Sequence, residues 1–397
     1  MNLCLNYTQR ICYVQDEKNQ KYYNEKKLME VWKVNVKERA TGTLEFRNMN
    51  REGCVLETFF PWDKTVRNWI DQGLSPQFSP EHIYPWAEDN ETERNYLSRG
   101  MTEGVAAYER ELGFDDLRRV SFQIPFFRFC KEGEVKDFSE WEKVKILVRQ
   151  EMEKYCKEEN FERIFGIYRE GHERGDYSIR MRAPGFFWTP RDLMGIEDHL
   201  FAFYDEPELM HDMNEFVLEM YLKYLVPLVK ILQPEVFLFP EDLSGKNGPM
   251  LSPECFDEFV GDYYRRLFPV LRENGVKNIF VDTDGDFRLL IPNFIKAGVD
   301  GFLPMDVNAG MDIVAVRKDF PELKFIGGFN KLALLEKRKD IDKEFERIMP
   351  VIRQGGYIPG LDHQAAPNTP LENYRYYIEK LKEAMKEAGA NLEANLP

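Results

Sequence analysis

The sequence predicts an α/β fold in which parallel strands close into a barrel. After about residue 235, short apolar runs alternate regularly with amphipathic stretches, a pattern typical of successive βα units. The apolar runs are continuous rather than alternating, which indicates strands that are buried on both faces. No GxGxxG or Walker A motif follows any of these runs, and this disfavours an open nucleotide-binding sheet. A closed barrel is therefore the favoured arrangement.

The second half of the chain contains the clearest predicted elements. Strands are predicted at residues 235–240, 278–282, 301–305, 323–327 and 357–360. Helices are predicted at residues 253–273, 287–297, 311–319, 339–354 and 371–388. The last helix has a plausible start, because Thr369 precedes Pro370 at the first helical position and Glu372 follows three residues after the threonine.

The first half is less regular. Strands are predicted at residues 53–60 and 177–183, and helices near residues 62–72, 190–203 and 207–232. Residues 100–175 are charged and aromatic, with a strand near 120–125 and a helix near 141–157, and they are interpreted as an insertion packed on the barrel. The predicted organisation is an N-terminal extension at residues 1–50, followed by one barrel domain at residues 51–390.

The composition narrows the class of protein and its partners. The 397 residues include 69 Asp and Glu against 54 Lys and Arg, for a formal net charge of −15. This charge argues against nucleic acid or an anionic membrane as a partner, because both attract clustered positive charge. The sequence has neither a long apolar span nor a signal-peptide pattern, and its six cysteines are scattered, so a cytoplasmic protein with reduced thiols is expected.

Polar residues follow every predicted strand of the second half. Parallel barrels gather their catalytic groups at the carboxyl ends of the strands, so these residues are expected to meet at one face. They are Glu241, Asp242, Lys246 and Asn247, then Asp282, Asp284 and Asp286, then Asp306 and Asn308, then Asn330 and Lys331, and finally Asp362, His363 and Gln364. This convergence is the main indication of an active site.

Asp282 and Asp284 are the clearest indication of a functional site. They lie two residues apart at a strand end, so their side chains point to the same side, and the two carboxylates repel each other unless a cation or a proton lies between them. His363 stands at a strand end, whereas the other histidines lie in helical or loop context. Two alternatives stay open: Asp286 and Asp306 as ordinary helix caps, and Glu241–Asp242 as a solvated loop.

Arg180 and Arg182 share one face of the strand predicted at 177–183. If that face looks into the barrel they form an anion clamp, since arginine binds carboxylates in bidentate fashion. An edge salt-bridge network is the alternative. Phe186, Phe187 and Trp188 follow, either as the lining of an apolar pocket or as part of the core.

Several segments together resemble the uroporphyrinogen decarboxylase superfamily. They are FLFPEDLSGKNGPMLSPE, NIFVDTDGD, GVDGFLPMDVNAGMD, FIGGFNK, GGYIPGLDHQAAPNTPLENY and GFFWTPRDLMGIEDHLFAFYDEPEL, in a match running from about residue 50 to 385. The resemblance implies a (β/α)8 TIM barrel. It also implies one of two chemistries: metal-free decarboxylation of uroporphyrinogen, with arginines holding the carboxylates, or methyl transfer involving a corrinoid protein, usually with zinc.

The departures from the superfamily patterns favour the second chemistry. Decarboxylases carry an Arg-rich signature after their first strand, whereas this chain reads ETFFPWDKTVRNW with only Arg67 deeper in the helix. The thiol-activating methyltransferases carry His-x-Cys where this chain has Asp282-Thr283-Asp284, and a further Cys where it has His363. Such a ligand set accepts zinc, manganese, iron or magnesium and lacks the soft thiolates that suit thiol activation.

The resulting hypothesis is a methyltransferase that passes a methyl group from a small substrate, such as a methoxylated aromatic compound, to a corrinoid protein. Glu241, Asp242 and His363 are the catalytic candidates, and a divalent metal, zinc before others, is assigned to Asp282, Asp284, His363 and Glu241. The substrate-binding candidates are Lys246, Asn247, Asp306, Lys331, Arg180, Arg182, Phe187 and Trp188, with Phe59 and Phe60 as further stacking rings. The partners considered are the substrate, the corrinoid protein and a second copy of the chain. The alternatives are a decarboxylase and a non-catalytic barrel that binds a corrinoid or tetrapyrrole.

Overall fold

The computed structural model describes residues 35–46, 53–80, 97–98 and 103–393. Within them, the main sheet contains the strands β1 (Leu97–Ser98), β2 (Leu117–Phe122), β3 (Ser178–Arg182), β4 (Val236–Pro240), β7 (Ile279–Asp282), β8 (Gly301–Leu303), β9 (Lys324–Phe329) and β10 (Tyr357–Leu361). A separate short hairpin is formed by β5 (Ser244–Gly245) and β6 (Gly248–Pro249). The strand order is β1-β2-β3-β4-β7-β8-β9-β10, and all neighbours are parallel except the antiparallel pair β1–β2.

The helices lie between these strands in the order expected for βα units. They are α1 (Val36–Leu44), α2 (Asp63–Asp71), α3 (Glu103–Leu112), α4 (Phe138–Tyr155), α5 (Glu158–Phe165), α6 (Arg169–Arg174), α7 (Trp188–Met194), α8 (Ile196–Asp205), α9 (Pro207–Met220), α10 (Val226–Leu232), α11 (Pro253–Phe256), α12 (Asp262–Glu273), α13 (Ile291–Ala297), α14 (Ile313–Asp319), α15 (Arg338–Gln354) and α16 (Leu371–Glu393). The predicted α/β barrel class is confirmed by this curled parallel sheet with its helical cover.

Two features of the first half bear on the predicted organisation. Strand β2 comes from within residues 100–175, the stretch interpreted as an insertion, and it pairs along its length with β3. The predicted N-terminal extension falls almost entirely on residues 1–34 and 47–52, which lie outside the described part of the chain. Both domain boundaries therefore stay predictions. In the described residues no helix is long and apolar enough to cross a membrane.

The hydrophobic core has two separate parts, as expected for a barrel. A large outer cluster packs the helices against the sheet and includes Phe237 and Phe239 of β4. A smaller inner cluster contains the alternate residues of the strands, together with Ala40 and Leu44 of α1. Its strand members are Leu117, Val236, Leu238, Phe280, Leu303, Ile326 and Ile358. The barrel interior is therefore filled with apolar side chains in the part that lies away from the carboxyl ends of the strands.

Polar side chains continue the same inner faces toward the carboxyl ends of the strands. Arg119 follows Leu117 on β2, and Arg180 and Arg182 share the inner face of β3. Asp282 follows Phe280 on β7, and Asp362 comes two residues after Gly360 on β10. Because the side chains of a strand alternate between its two faces, these charged groups lie above the inner apolar cluster.

Residues 53–60 lie between β2 and β10, but they form no regular strand, so the strand predicted there is wrong. The segment is mostly buried, and its Val55 carbonyl accepts a hydrogen bond of 2.8 Å from the Asp115 amide just before β2. On the other side, a Cβ atom on Gly360 of β10 would come within 2.1 Å of Thr58 Oγ1, so β10 passes this segment closely.

Two arginines hold the segment through its carbonyl groups. Arg119 Nη2 donates to the Glu57 carbonyl at 3.1 Å, and Arg180 Nη2 donates to the Thr58 carbonyl at 2.7 Å. Arg119 also binds both carboxylate oxygens of the buried Glu109, at 2.6 and 3.0 Å. We call residues 53–60 with Arg119 and Arg180 the arginine seam. Hydrogen bonds from these two arginine side chains replace part of the backbone hydrogen bonding that joins neighbouring strands in a regular sheet.

The replacement Arg119→Met is expected to lower the free energy of unfolding by about 3 kcal/mol, because it leaves the Glu109 carboxylate buried without its cation and removes a donor from the Glu57 carbonyl. Chemical denaturation at neutral pH measures the change. The matched control is Arg149→Met, which breaks a bidentate pair with Glu219 that is exposed to water, and it should cost no more than about 1 kcal/mol. Equal effects of the two variants would contradict a special role for the seam.

Candidate active site at the barrel mouth

The candidate site lies where β4, β7, β8 and β10 end, and Asp282 is a partly buried carboxyl group on its inner face. Burial raises the pKa of Asp282 to about 7, with Arg182 and Arg180 acting to lower this pKa and the carboxylates of Asp284 and Asp242 acting to raise it. Near neutral pH this group therefore exists in both the protonated and the charged form. It is chemically suited to donate a proton to a ligand in the mouth.

Asp284 and His363 connect the ends of β7 and β10. Their Oδ1 and Nε2 atoms are 3.1 Å apart, with the imidazole mostly buried and the carboxylate about half exposed. Burial acts to lower the pKa of His363, but the hydrogen bond and the charge of Asp284 outweigh it, and the pKa is raised overall. The ring also stacks on Phe59 at a centroid distance of 6.3 Å. His363 Nδ1 is buried and has no hydrogen-bond partner in the described residues.

Asp362 and Asp306 flank the histidine. Asp362 is fully buried, with Oδ1 accepting from the Lys331 amide at 3.0 Å and Oδ2 from the Val307 amide at 3.3 Å. Burial raises the pKa of Asp362 above its usual range. Asp306 Oδ1 accepts from the Asn308 and Ala309 amides at 3.1 Å each, so the cap predicted as an alternative for Asp306 is present.

One group of three side chains in the described residues is arranged so that it could hold a metal ion: Asp306, Asp362 and His363, whose ligand atoms lie within 4.8 Å of one another. The predicted set of Asp282, Asp284, His363 and Glu241 shares only His363 with this group, although Asp284 contacts the histidine. Asp362 also stands at a strand end in the sequence, but it is not among the predicted metal ligands. Its position next to His363, on the inner face of β10, is the signal that could have identified it.

Glu241 lies in a different environment from the aspartates. It is fully buried, and its carboxylate accepts hydrogen bonds from the backbone amides of Phe186, Phe187 and Trp188 at 2.9–3.0 Å. The hydroxyl of Tyr264 donates to the same group. Burial raises the pKa of Glu241 to about 7, against the effect of these four donors. Both oxygens are thus occupied in holding the loop before α7, and the structure does not bring Glu241 together with His363.

Asp242 is closer to the opening than Glu241. Its backbone has φ +43°, and its partly exposed carboxylate lies 3.3 Å from Arg191 Nη1 of α7. Its amide donates to the Asp282 carbonyl at 3.2 Å, which joins the ends of β4 and β7. The alternative of a purely solvated loop at Glu241–Asp242 is therefore wrong for Glu241, which is fully buried.

The two arginines of β3 have different surroundings. Arg180 belongs to the arginine seam, and burial together with the charge of Arg119 lowers its pKa to about 9. Arg182 is exposed to solvent and its side chain makes no hydrogen bond or salt bridge with the described residues, although its charge acts on Asp282. A two-arginine clamp is therefore not formed, and Arg182 alone remains available to an anion.

The other predicted substrate-binding residues are divided between the core and the surface. Phe187 is fully buried against the ring of His199 at a centroid distance of 4.7 Å, so it belongs to the core. Trp188 is partly exposed. Lys246 and Asn247 form the exposed two-residue turn between β5 and β6. The charge of Lys331 acts on both His363 and Asp362, which places this side chain beside the candidate metal group.

Comparisons with known proteins agree with this architecture. Residues 187–384 match the model of the uroporphyrinogen decarboxylase (URO-D) family. The uroporphyrinogen decarboxylase of Prochlorococcus marinus (strain MIT 9312) is 24% identical over 177 residues, which are 44% of this chain and 49% of that protein. That of Rickettsia africae (strain ESF-5) is 25% identical over 182 residues, or 45% and 50%. The chain thus spans about half the length of these curated relatives.

A solved structure described as a methyltransferase from Methanosarcina mazei has the same fold over most of the chain. Its TM-score is 0.58 at 13% sequence identity, and the match covers 88% of this chain and 99% of the other. The matching family model includes β4 and β7 to β10 and with them every carboxylate of the mouth discussed above. Through residues 187–384, the chain therefore belongs to the uroporphyrinogen decarboxylase superfamily.

Proposed function

We propose that this chain is a methyltransferase that removes a methyl group from a small methylated substrate, such as a methoxylated aromatic compound, for transfer to a corrinoid protein. The observation that carries the proposal is Asp282, an inward-facing carboxyl group with a pKa of about 7 at the carboxyl end of β7. A group of this kind can give a proton to the oxygen atom that loses its methyl group.

The transfer needs stabilisation of the leaving oxygen. When the carbon–oxygen bond breaks, its electron pair stays on oxygen, and the proton of Asp282 neutralises the developing charge. Asp282 then regains a proton from solvent. The corrinoid held by the partner protein would supply the acceptor for the methyl group. When its Nδ1 holds no metal, His363, held by Asp284, is a second proton donor at the mouth, because its raised pKa keeps it protonated to higher pH.

The charge of the mouth favours this chemistry over one that uses a polyanionic substrate. Asp242, Asp282, Asp284, Asp306 and Asp362 all lie at the mouth. Among the arginines of the inner face, Arg119 and Arg180 are committed to the arginine seam, which leaves Arg182 free. A substrate with eight carboxylates would meet more repulsion than attraction there.

A divalent metal is compatible with the group of Asp306, Asp362 and His363. The unpartnered, buried Nδ1 of His363 is a suitable ligand atom, and the two carboxylates supply oxygens. One imidazole with two carboxylates fits zinc, and also manganese or magnesium. Such an ion would act as a Lewis acid toward the same leaving oxygen.

Metal retention tests this part of the proposal. After equilibration with zinc and removal of the excess, we expect about one zinc ion per chain, measured by mass spectrometry of the metal content. The double variant Asp362→Asn, His363→Ala should lose it, whereas His211→Ala, which changes a histidine on α9, should keep it. A wild-type protein that retains no zinc would remove the metal from the proposal and leave Asp282 as the activating group.

The function itself is tested by incubation with reduced cobalamin, or with corrinoid proteins, and a panel of methoxylated aromatic compounds. Demethylated product should appear together with the absorbance of the methylated corrinoid. If no panel member gives product while a tetrapyrrole binds, the methyltransferase proposal is wrong and a binding role becomes the better interpretation.

Decarboxylation is the second candidate, and one observation favours it. Arg182 and Asp282 lie near each other at the mouth, so a carboxylate could be held by the arginine beside a proton donor. Release of carbon dioxide from uroporphyrinogen or a smaller carboxylate, without added corrinoid, would support this candidate over methyl transfer.

A further inference from the structure

A cavity of about 690 Å³ lies beside the mouth, between the loops that follow β2 and β3. We call it the β2–β3 cavity. Its lining includes Phe126, Phe127, Arg182, Trp188 and Tyr221, and its volume lies within the range typical of small-molecule sites. The sequence analysis considered Arg182 and Trp188 separately, whereas the structure shows them lining one space.

The cavity has a cation on the inner face of β3 that is placed for an anionic ligand. Arg182 is the last residue of β3 on its inner face and lines the cavity, and its side chain makes no hydrogen bond or salt bridge with the described residues. A guanidinium without a protein partner can pair with a carboxylate in bidentate fashion. The lining also contains the charged residues Lys131, Glu132 and Asp192, which like Arg182 are exposed, and Asp192 accepts a hydrogen bond from Trp188 Nε1 at 2.6 Å.

The aromatic residues of the cavity suit a planar ring. Trp188 is held in place by its bond to Asp192 and by the Arg191 guanidinium 4.1 Å from the ring centroid. Phe127 is 52% exposed, so its ring is accessible to a ligand in the cavity. Offset or edge contacts with such rings favour an aromatic ligand over an aliphatic one of equal size.

We propose, resting on the function proposed above, that the β2–β3 cavity binds the methyl donor and that this donor is an aromatic monocarboxylate. Its carboxylate pairs with Arg182, and its ring lies between Phe127 and Trp188. Arg182 is also the lining residue whose charge acts on Asp282, so this arginine is shared by the cavity and the mouth of the barrel. A single ring leaves part of the cavity free for the methyl acceptor to approach.

Binding measured without any corrinoid tests the substrate class directly. Calorimetric titration with 4-methoxybenzoate should give affinity about tenfold or more above that for 4-methoxybenzyl alcohol, which lacks the carboxylate. 4-Methoxycyclohexanecarboxylate, which lacks the aromatic ring, should also bind more weakly. Equal affinities for 4-methoxybenzoate and the neutral alcohol would overturn the proposal.

Substitutions then locate the site. Arg182→Gln should reduce 4-methoxybenzoate affinity about tenfold or more, Arg182→Lys less, and Phe127→Ala should weaken the preference for the aromatic ring. The matched control is Arg174→Gln, an exposed arginine that precedes β3, and it should bind as the wild type does. Unchanged binding in Arg182→Gln and Phe127→Ala would overturn the assignment to this cavity.

The outcomes separate this inference from the proposed function. Tight, Arg182-dependent binding of 4-methoxybenzoate without methyl transfer to any corrinoid would uphold the cavity and contradict the methyltransferase. Methyl transfer from the neutral alcohol, at equal rates in the wild type and Arg182→Gln, would uphold the methyltransferase and overturn the carboxylate class.

Discussion

The replacement Asp282→Asn is expected to lower the rate of methyl transfer by about 100-fold or more, because asparagine cannot donate the proton that neutralises the leaving oxygen. In the wild type, the rate should fall as pH rises through about 7, where Asp282 loses its proton. This limb should be absent from the residual activity of the variant. Initial rates of product formation between pH 5.5 and 8.5 measure both effects.

The same variant should also change the pH dependence of the free energy of unfolding, which can be measured without substrate. The folded-state pKa of Asp282 lies above its ordinary value, so the folded protein holds an additional proton between about pH 4 and 7 and loses stability as pH rises through that window. Asp282→Asn should therefore stabilise the fold at pH 8 by about 1–3 kcal/mol relative to wild type, with little effect at pH 4.

Asp286→Asn is the matched control for both measurements. Asp286 lies four residues further along, and the hydrogen bonds from Arg288 lower its pKa, so it is charged across the whole range. Its replacement should leave the pH profile of the rate unchanged. A wild-type pH profile in Asp282→Asn, or a similar loss of rate in both variants, would contradict the role of Asp282 as the proton donor.

The largest effect on stability is expected from Glu241→Ala. The change removes the acceptor for three backbone amides and for the Tyr264 hydroxyl, all within a fully buried region. Unfolding free energy should fall by about 3–5 kcal/mol, since buried donors that lose their only acceptor are costly. Urea denaturation measures the loss. Near-ultraviolet circular dichroism, to which Trp188 contributes, reports whether the loop before α7 moves.

Two further variants show which contact matters. Tyr264→Phe removes one of the four donors and should cost about 1 kcal/mol. Glu258→Ala, which removes a carboxylate that is mostly exposed, should have almost no effect. A loss of less than about 1 kcal/mol in Glu241→Ala would show that the loop finds other partners, and Glu241 would then be free to act elsewhere in the site.

The sequence predicts the second half of the fold well because continuous apolar runs such as residues 235–240 and 278–282 have few other interpretations in a chain that also contains amphipathic helices. It fails at residues 53–60, where the pattern is that of a strand but the carbonyls are taken by Arg119 and Arg180. Which backbone carbonyl an arginine side chain binds depends on the packing of strands that are distant in the sequence. The local sequence pattern does not contain this information.

The candidate site, like the fold, could be predicted from the sequence only in part. The carboxylates are visible at the strand ends in the sequence, but the prediction assigns Glu241 and Asp282 to one metal site. Counting along the strands separates them, because Asp282 falls on the inner face with Phe280, whereas Glu241 falls one residue past Pro240 and on the outer side with Phe239. The β2–β3 cavity could not be predicted, because it is made by two loops whose paths depend on tertiary contacts.

The arginine seam makes one part of the barrel wall unlike the others. Elsewhere, neighbouring strands are joined by backbone hydrogen bonds, which do not depend on the identity of the side chains. Along residues 53–60 the connection combines the backbone hydrogen bond from the Asp115 amide to the Val55 carbonyl with two guanidinium groups, one of which also neutralises Glu109. Local unfolding should therefore begin at this edge, and the wall should separate here at a smaller free energy than global unfolding requires. Single residue replacements thus control how easily this barrel opens along its side.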